Sequence, residues 1–167
     1  MSLEFSGLFC FNPLPNFDMK RLVLIWISSV CFLSSAFAQI EKPVTWAYRA
    51  KKTGPNQATL YLKATMQGSW HIYALDPKPI PTRTLFTFAP SKDFSLVGKP
   101  VQPKPIVKYD KTLKVNLSYF EHEVVFTQVI KLHKKQTVVK GKVEFMVCNE
   151  KSCLPTDEVA FSIPVKP

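Results

Sequence analysis

Cysteine is scarce in this chain, with four among 167 residues at positions 10, 31, 148 and 153. Histidine occurs only as His71, His122 and His133, and neither Cys-x2-Cys nor His-x3-His spacing is present. A zinc or copper site would need these histidines to join a cysteine pair without any supporting spacing, so no metal is expected. The same lack excludes a thioredoxin-type active site, which sets Cys-x-x-Cys at a helix N-terminus, where the dipole lowers the thiolate pKa. Nothing in the sequence fixes a histidine beside either C-terminal cysteine, so a Cys/His nucleophile is not expected either. Helical periodicity and internal repeats are also missing. Acidic residues are few, 12 against 22 basic ones, for a formal net charge of +10. The lysines are spread along the chain, which reads as a solvated face and not as a nucleic-acid surface.

What is present begins with an export signal. Lys20 and Arg21 precede an apolar run from Leu22 to Leu33, followed by Ser34, Ser35, Ala36, Phe37, Ala38 and Gln39. A charged stretch, an apolar stretch of about 12 residues and small residues at Ala36 and Ala38 have the form of a secretory signal peptide cleaved after Ala38. The run is short of the roughly 20 residues that cross a bilayer. Residues 1–38 are therefore assigned to the signal region, with Met19 the natural start and residues 1–18 an upstream extension. A lipid anchor at Cys31 is the competing reading, but Ser29 and Val30 make a poor lipobox. Residues 39–167 form the exported domain, without a membrane span, and Cys148 and Cys153 are its one cysteine pair.

The exported part reads as strands. Val44, Trp46 and Tyr48 alternate with Thr45, Ala47 and Arg49, and a Thr53-Gly54-Pro55-Asn56 turn leads to a second alternating run, Ala58 to Met66. These two predict a hairpin. Trp70 to Leu75, Thr84 to Phe88 and Phe94 to Val97 predict further short strands. Pro77, Pro79 and Pro81 exclude a central ladder, and Pro100, Pro103 and Pro105 leave residues 99–116 without a clean period. Val124 to Leu132 is apolar on both sides and predicts a central strand. Val139, Gly141, Val143, Phe145 and Val147 share one face, which puts Cys148 on the opposite, polar face; Val159 to Val165 closes the set. About eight short strands with regular turn signals predict an all-β fold, an immunoglobulin-like antiparallel β-sandwich.

Cys148 and Cys153 enclose Asn149-Glu150-Lys151-Ser152, a polar, turn-forming stretch that can bring the sulfurs together. As a staple, closing a loop of about six residues contributes roughly 2 kcal/mol. A bridge across one hairpin tip is better placed for exchange than for stability. An immunoglobulin-like binding module with a structural disulfide is the alternative.

The runs Phe145-Met146-Val147-Cys148-Asn149-Glu150-Lys151-Ser152-Cys153-Leu154-Pro155, Gly68-Ser69-Trp70-His71-Ile72-Tyr73 and Ser118-Tyr119-Phe120-Glu121 resemble the N-terminal periplasmic domain of the thiol:disulfide interchange protein DsbD, in its stand-alone Bacteroidetes-like form. The likeness covers most of residues 41–165. It implies an immunoglobulin-like sandwich in the periplasm whose redox pair, here Cys148 and Cys153, takes electrons from one thioredoxin-like partner and gives them to others, including cytochrome-maturation proteins, without a cofactor. It also implies a cap over the sulfurs, for which Tyr73, Tyr109, Leu113, Tyr119 and Phe120 are the candidates, with ordinary core packing as the other reading of these side chains. Thr156 stands where the family often has a second proline. No residues match the membrane and thioredoxin-like domains of full-length DsbD, so the resemblance names no electron donor.

Exported protein should begin at Gln39, which N-terminal sequencing checks; recovery of residues 22–38 in a membrane fraction would overturn the cleavage assignment.

Overall fold

The structure is a computed structural model that describes residues 42–75, 83–111 and 114–166. The signal region, the proline-rich segment 76–82 and Leu113 lie outside the described residues. Among the described residues eleven strands are formed: β1 (Val44–Gly54), β2 (Gln57–Met66), β3 (His71–Tyr73), β4 (Leu85–Phe88), β5 (Phe94–Val101), β6 (Ile106–Asp110), β7 (Val115–Glu121), β8 (Glu123–Leu132), β9 (Thr137–Phe145), β10 (Val147–Cys148) and β11 (Asp157–Val165). They make three antiparallel sheets, ordered β1-β2-β8-β5, β10-β3-β7-β6 and β11-β9-β4.

Alternation in the sequence becomes burial in the structure. Along β2, Ala58, Leu60, Leu62 and Ala64 are fully buried, while Thr59, Tyr61 and Lys63 face outward; Val124, Phe126 and Ile130 repeat the pattern on β8. Each of the leucine, valine, isoleucine and phenylalanine side chains contributes about 1.5–3 kcal/mol when removed from water. Aromatic rings knit the layers. Trp46 of β1 meets Phe86 of β4 edge-on at 5.7 Å and Phe145 of β9 at 5.4 Å, and Phe120 of β7 meets Phe126 of β8 at 5.8 Å. Both smaller sheets therefore pack on the first, as the inner faces of a sandwich do.

Three sequence expectations change. β5 continues through Pro100 to Val101, paired with β8. It can do so because β5 is the edge of its sheet, where a missing N–H breaks no second ladder. Gly98, at φ 69°, lies where the register shifts between Val97 and Val101. The stretch without a period contains β6 and runs into the start of β7, the two joined as a hairpin from Ile106↔Tyr119 to Asp110↔Val115. No alternation announced β6 because its residues are nearly all exposed on both sides. The third change concerns Cys148, which lies on the face opposite Val147 as expected but is buried there, with 2% exposure. The ladder of β9 ends at Phe145, Met146 stands outside it, and Val147–Cys148 joins the sheet of β3. Val147 still turns inward with Phe145 and Cys148 turns the other way, where Tyr73 and the cleft walls enclose it.

β9 also carries the tightest contact. A Cβ on Gly141 would collide with the carbonyl oxygen of Thr87 and the ring of Phe161. Gly141→Ala should therefore destabilise the domain by about 1–3 kcal/mol, the usual cost of overpacking, read as a lowered urea midpoint with an unchanged slope.

Candidate functional site

The cysteine loop is built by short-range hydrogen bonds. The Asn149 carboxamide oxygen accepts from the backbone N–H groups of Lys151 and Ser152, each at 2.8 Å. Asn149 N donates to Ser152 O at 2.9 Å, and Leu154 N donates to Val147 O at 2.9 Å. An asparagine at the start of such a turn supplies the acceptor that the backbone itself lacks. Cys148 and Cys153 thereby face one another across an isolated antiparallel bridge, with Cα atoms 4.0 Å apart and the sulfurs joined as a disulfide.

The two sulfurs are unequal. Cys148 is buried and held in a ladder with His71, whereas Cys153 is exposed. Proline at 155 cannot donate to a ladder, so pairing lapses after Leu154 and resumes at Asp157. The Tyr73 hydroxyl donates to Cys148 Sγ at 3.5 Å. Burial pushes the Tyr73 phenol above its ordinary pKa, and the nearby Asp110 charge adds to this, so it remains a donor.

Beside the disulfide lies a cleft of about 300 Å³ whose walls include Tyr73, Tyr109, Tyr119, Cys148 and Cys153. Three of the five cover candidates thus gather at the sulfurs. Tyr73 is nearly buried on β3, Tyr119 pairs with it from β7, and Tyr109 is 57% exposed on β6. Phe120 turns away into the core, because it neighbours Tyr119 on a strand and successive side chains point to opposite faces. Leu113 is among the residues not described.

His71 and Asn149 are the site residues that sequence reasoning missed. Asn149 could have been found from the Asn-x-x-Ser turn pattern. For His71 no local signal exists, since its position opposite Cys148 comes from pairing β3 with β10, strands far apart in sequence. The expectation that no histidine stands beside a cysteine is therefore corrected. His122 and His133 flank the two ends of β8, so the three histidines do not converge.

An immunoglobulin-like sandwich carrying a short-loop disulfide, one sulfur exposed and the other buried beside an aromatic cleft, defines a class of thiol–disulfide exchange domain. The model of the family described as thiol:disulfide interchange protein DsbD, N-terminal, matches residues 40–164, and the chain belongs to that family, whose members exchange thiols with thioredoxin-like partners. Among solved structures, the N-terminal periplasmic domain of ScsB from Proteus mirabilis superposes with a TM-score of 0.53 at 14% identity, covering 75% of this chain and 47% of that one. The reduced DsbD N-terminal domain from Neisseria meningitidis superposes with a TM-score of 0.50 at 14% identity, covering 73% of this chain and 86% of that one. At that identity the likeness establishes the fold. No curated protein sequence matches the chain significantly.

Nearly all core side chains lie on strands other than β10, neither cysteine belongs to the core cluster, and the bridge closes only a short loop. Replacing both Cys148 and Cys153 by serine should keep the β-sheet circular dichroism and cost about 2 kcal/mol in chemical denaturation; failure of the double variant to fold would assign the pair a structural role.

Proposed function

We propose that residues 39–167 act in the periplasm, after removal of residues 1–38, as a shuttle that passes electrons between thioredoxin-like partners through Cys148 and Cys153. The observation that carries this reading is the asymmetry of the disulfide, one sulfur exposed at a cleft and the other buried under a hydrogen-bond donor. A purely structural bridge has no use for that arrangement, and the family supports the assignment.

The chemistry follows from access. A partner thiolate attacks Cys153 Sγ, because thiol–disulfide exchange proceeds at the sulfur an incoming thiolate reaches. The bond from the partner sulfur to Cys153 forms, the Cys148–Cys153 bond breaks, and its electron pair departs on Cys148 Sγ. Tyr73 O–H, already directed at that sulfur, stabilises the developing charge. The partner's second thiol then attacks its own sulfur in the mixed disulfide and releases Cys153. The partner leaves oxidised and the pair is left reduced. Delivery is the reverse: Cys153 attacks an acceptor disulfide and Cys148 resolves the mixed species. Tyr109 and Tyr119 form the aromatic part of the surface that a partner meets around the sulfurs, with Tyr73 beneath them. The cytochrome-maturation acceptors implied by the resemblance belong to this same reading.

The Cys148→Ser protein, incubated with a thioredoxin-like partner lacking its own resolving cysteine, should accumulate a covalent complex through Cys153 on non-reducing gels. Equal or better trapping by Cys153→Ser would reverse the roles of the two sulfurs, and trapping by neither would remove the exchange function.

A further inference from the structure

The exchange reading leaves one problem unsolved. Cys148 is only 2% exposed, so water does not solvate the charge that arrives on its sulfur when the disulfide opens. A desolvated thiolate is unfavourable and needs a proton or a fixed positive charge. Tyr73 can donate a hydrogen bond, but its raised pKa means it does not give the proton up.

His71 stands where the need arises. It is the direct ladder partner of Cys148. Residues directly opposite in an antiparallel pair place their side chains on the same face, with Cβ atoms about 4.5–5.5 Å apart. Both side chains line the same cleft. The imidazole is held between two rings, 4.7 Å from Tyr119 and 5.7 Å from Tyr73 by centroids, so its orientation is constrained by packing.

We propose that His71 is the proton donor and acceptor for Cys148 in the exchange reaction, an inference that rests on the shuttle function above. As the partner thiolate bonds to Cys153, the electron pair of the broken S–S bond moves onto Cys148, which takes a proton from the His71 imidazolium and becomes a thiol. The neutral imidazole regains a proton from solvent. In the delivery direction, neutral His71 removes the Cys148 proton as that sulfur attacks the mixed disulfide.

The surroundings set the pH at which this operates. Facing His71 are Glu121 and Tyr119 from β7, Lys108 and Asp110 from β6, Tyr73 from its own strand, and Cys148 and Glu150 from the cysteine loop. Burial lowers the imidazole below its ordinary value of 6.5, Lys108 lowers it further, and Glu121 and the backbone of Ser69 oppose both. The imidazolium is thus present in acid and lost as pH rises through that lowered value, and the assistance to reduction is lost with it.

The test is the rate of reduction by dithiothreitol of the oxidised domain between pH 5 and 8, divided by the thiolate fraction of the reagent. Wild-type protein should react about tenfold faster per thiolate at the acid end, modest for acid catalysis because sulfur is itself a good leaving group. The midpoint should lie below 6.5, and His71→Gln should give a flat profile. A flat wild-type profile, or an acid limb kept in His71→Gln, overturns the role of His71 while leaving exchange intact. A wild-type disulfide that resists reduction throughout overturns the exchange reading itself. If His71→Gln does not fold, the His71 ring resonance of wild-type protein decides. Its titration midpoint should differ between the oxidised and reduced states, and identical midpoints refute the proposal.

Discussion

A ladder of two residues holds the site together. Val147 pairs with Ile72 and Cys148 with His71, and this short β10–β3 contact joins the cysteine loop to the sheet that carries Tyr73 and Tyr119. Val147 and Ile72 turn inward and are buried, which anchors the pair in the core. Their neighbours Cys148 and His71 necessarily turn the other way, toward the cleft. Without that contact the loop would still close on Asn149, but the phenol would not meet the sulfur and His71 would not lie opposite Cys148.

The rest of the sandwich keeps this contact in register. Trp46, Phe86, Phe126 and Phe145 form one aromatic cluster across the sheets. Phe120 extends it under the cleft, on the reverse side of the strand that presents Tyr119. Thr84 donates its hydroxyl to the carbonyl of Tyr73, and the Gln102 side chain both accepts from and donates to the backbone of Leu75. These bonds occupy backbone groups at and just beyond the C-terminal end of β3, so that end of the strand bearing His71 and Tyr73 is fixed. Rigid placement matters here because exchange at sulfur depends on which atom is accessible.

The order of the two sulfurs follows from backbone chemistry at each end of the loop. Cys148 lies in a ladder and beneath Tyr73, so its sulfur is enclosed on the cleft side. Cys153 follows a tight turn and precedes Leu154-Pro155, where the proline interrupts pairing until β11 begins. Accessibility and the supply of a donor are thereby separated onto different atoms, an arrangement suited to attack at one sulfur and departure at the other.

Much of this was written in the sequence. The alternation on β2, β9 and β11 fixed which side chains are interior, because a period of two puts the apolar residues of each strand on one face, whereas β8, apolar on both sides, showed only that it is central. The cysteine spacing and its polar turn determined that a disulfide could close, and the family-like runs around it marked the loop. Other features depended on pairing between distant segments. β6 is exposed on both sides and left no periodic trace, and Pro100 is tolerated only because β5 turned out to be an edge. Cys148 became buried because the chain changes sheets at Met146, a step invisible in a pattern of hydrophobic residues. His71 came to face Cys148 through a register between strands far apart in sequence. Local residues determine which face of a strand is buried, but only tertiary contacts decide which strand lies beside it.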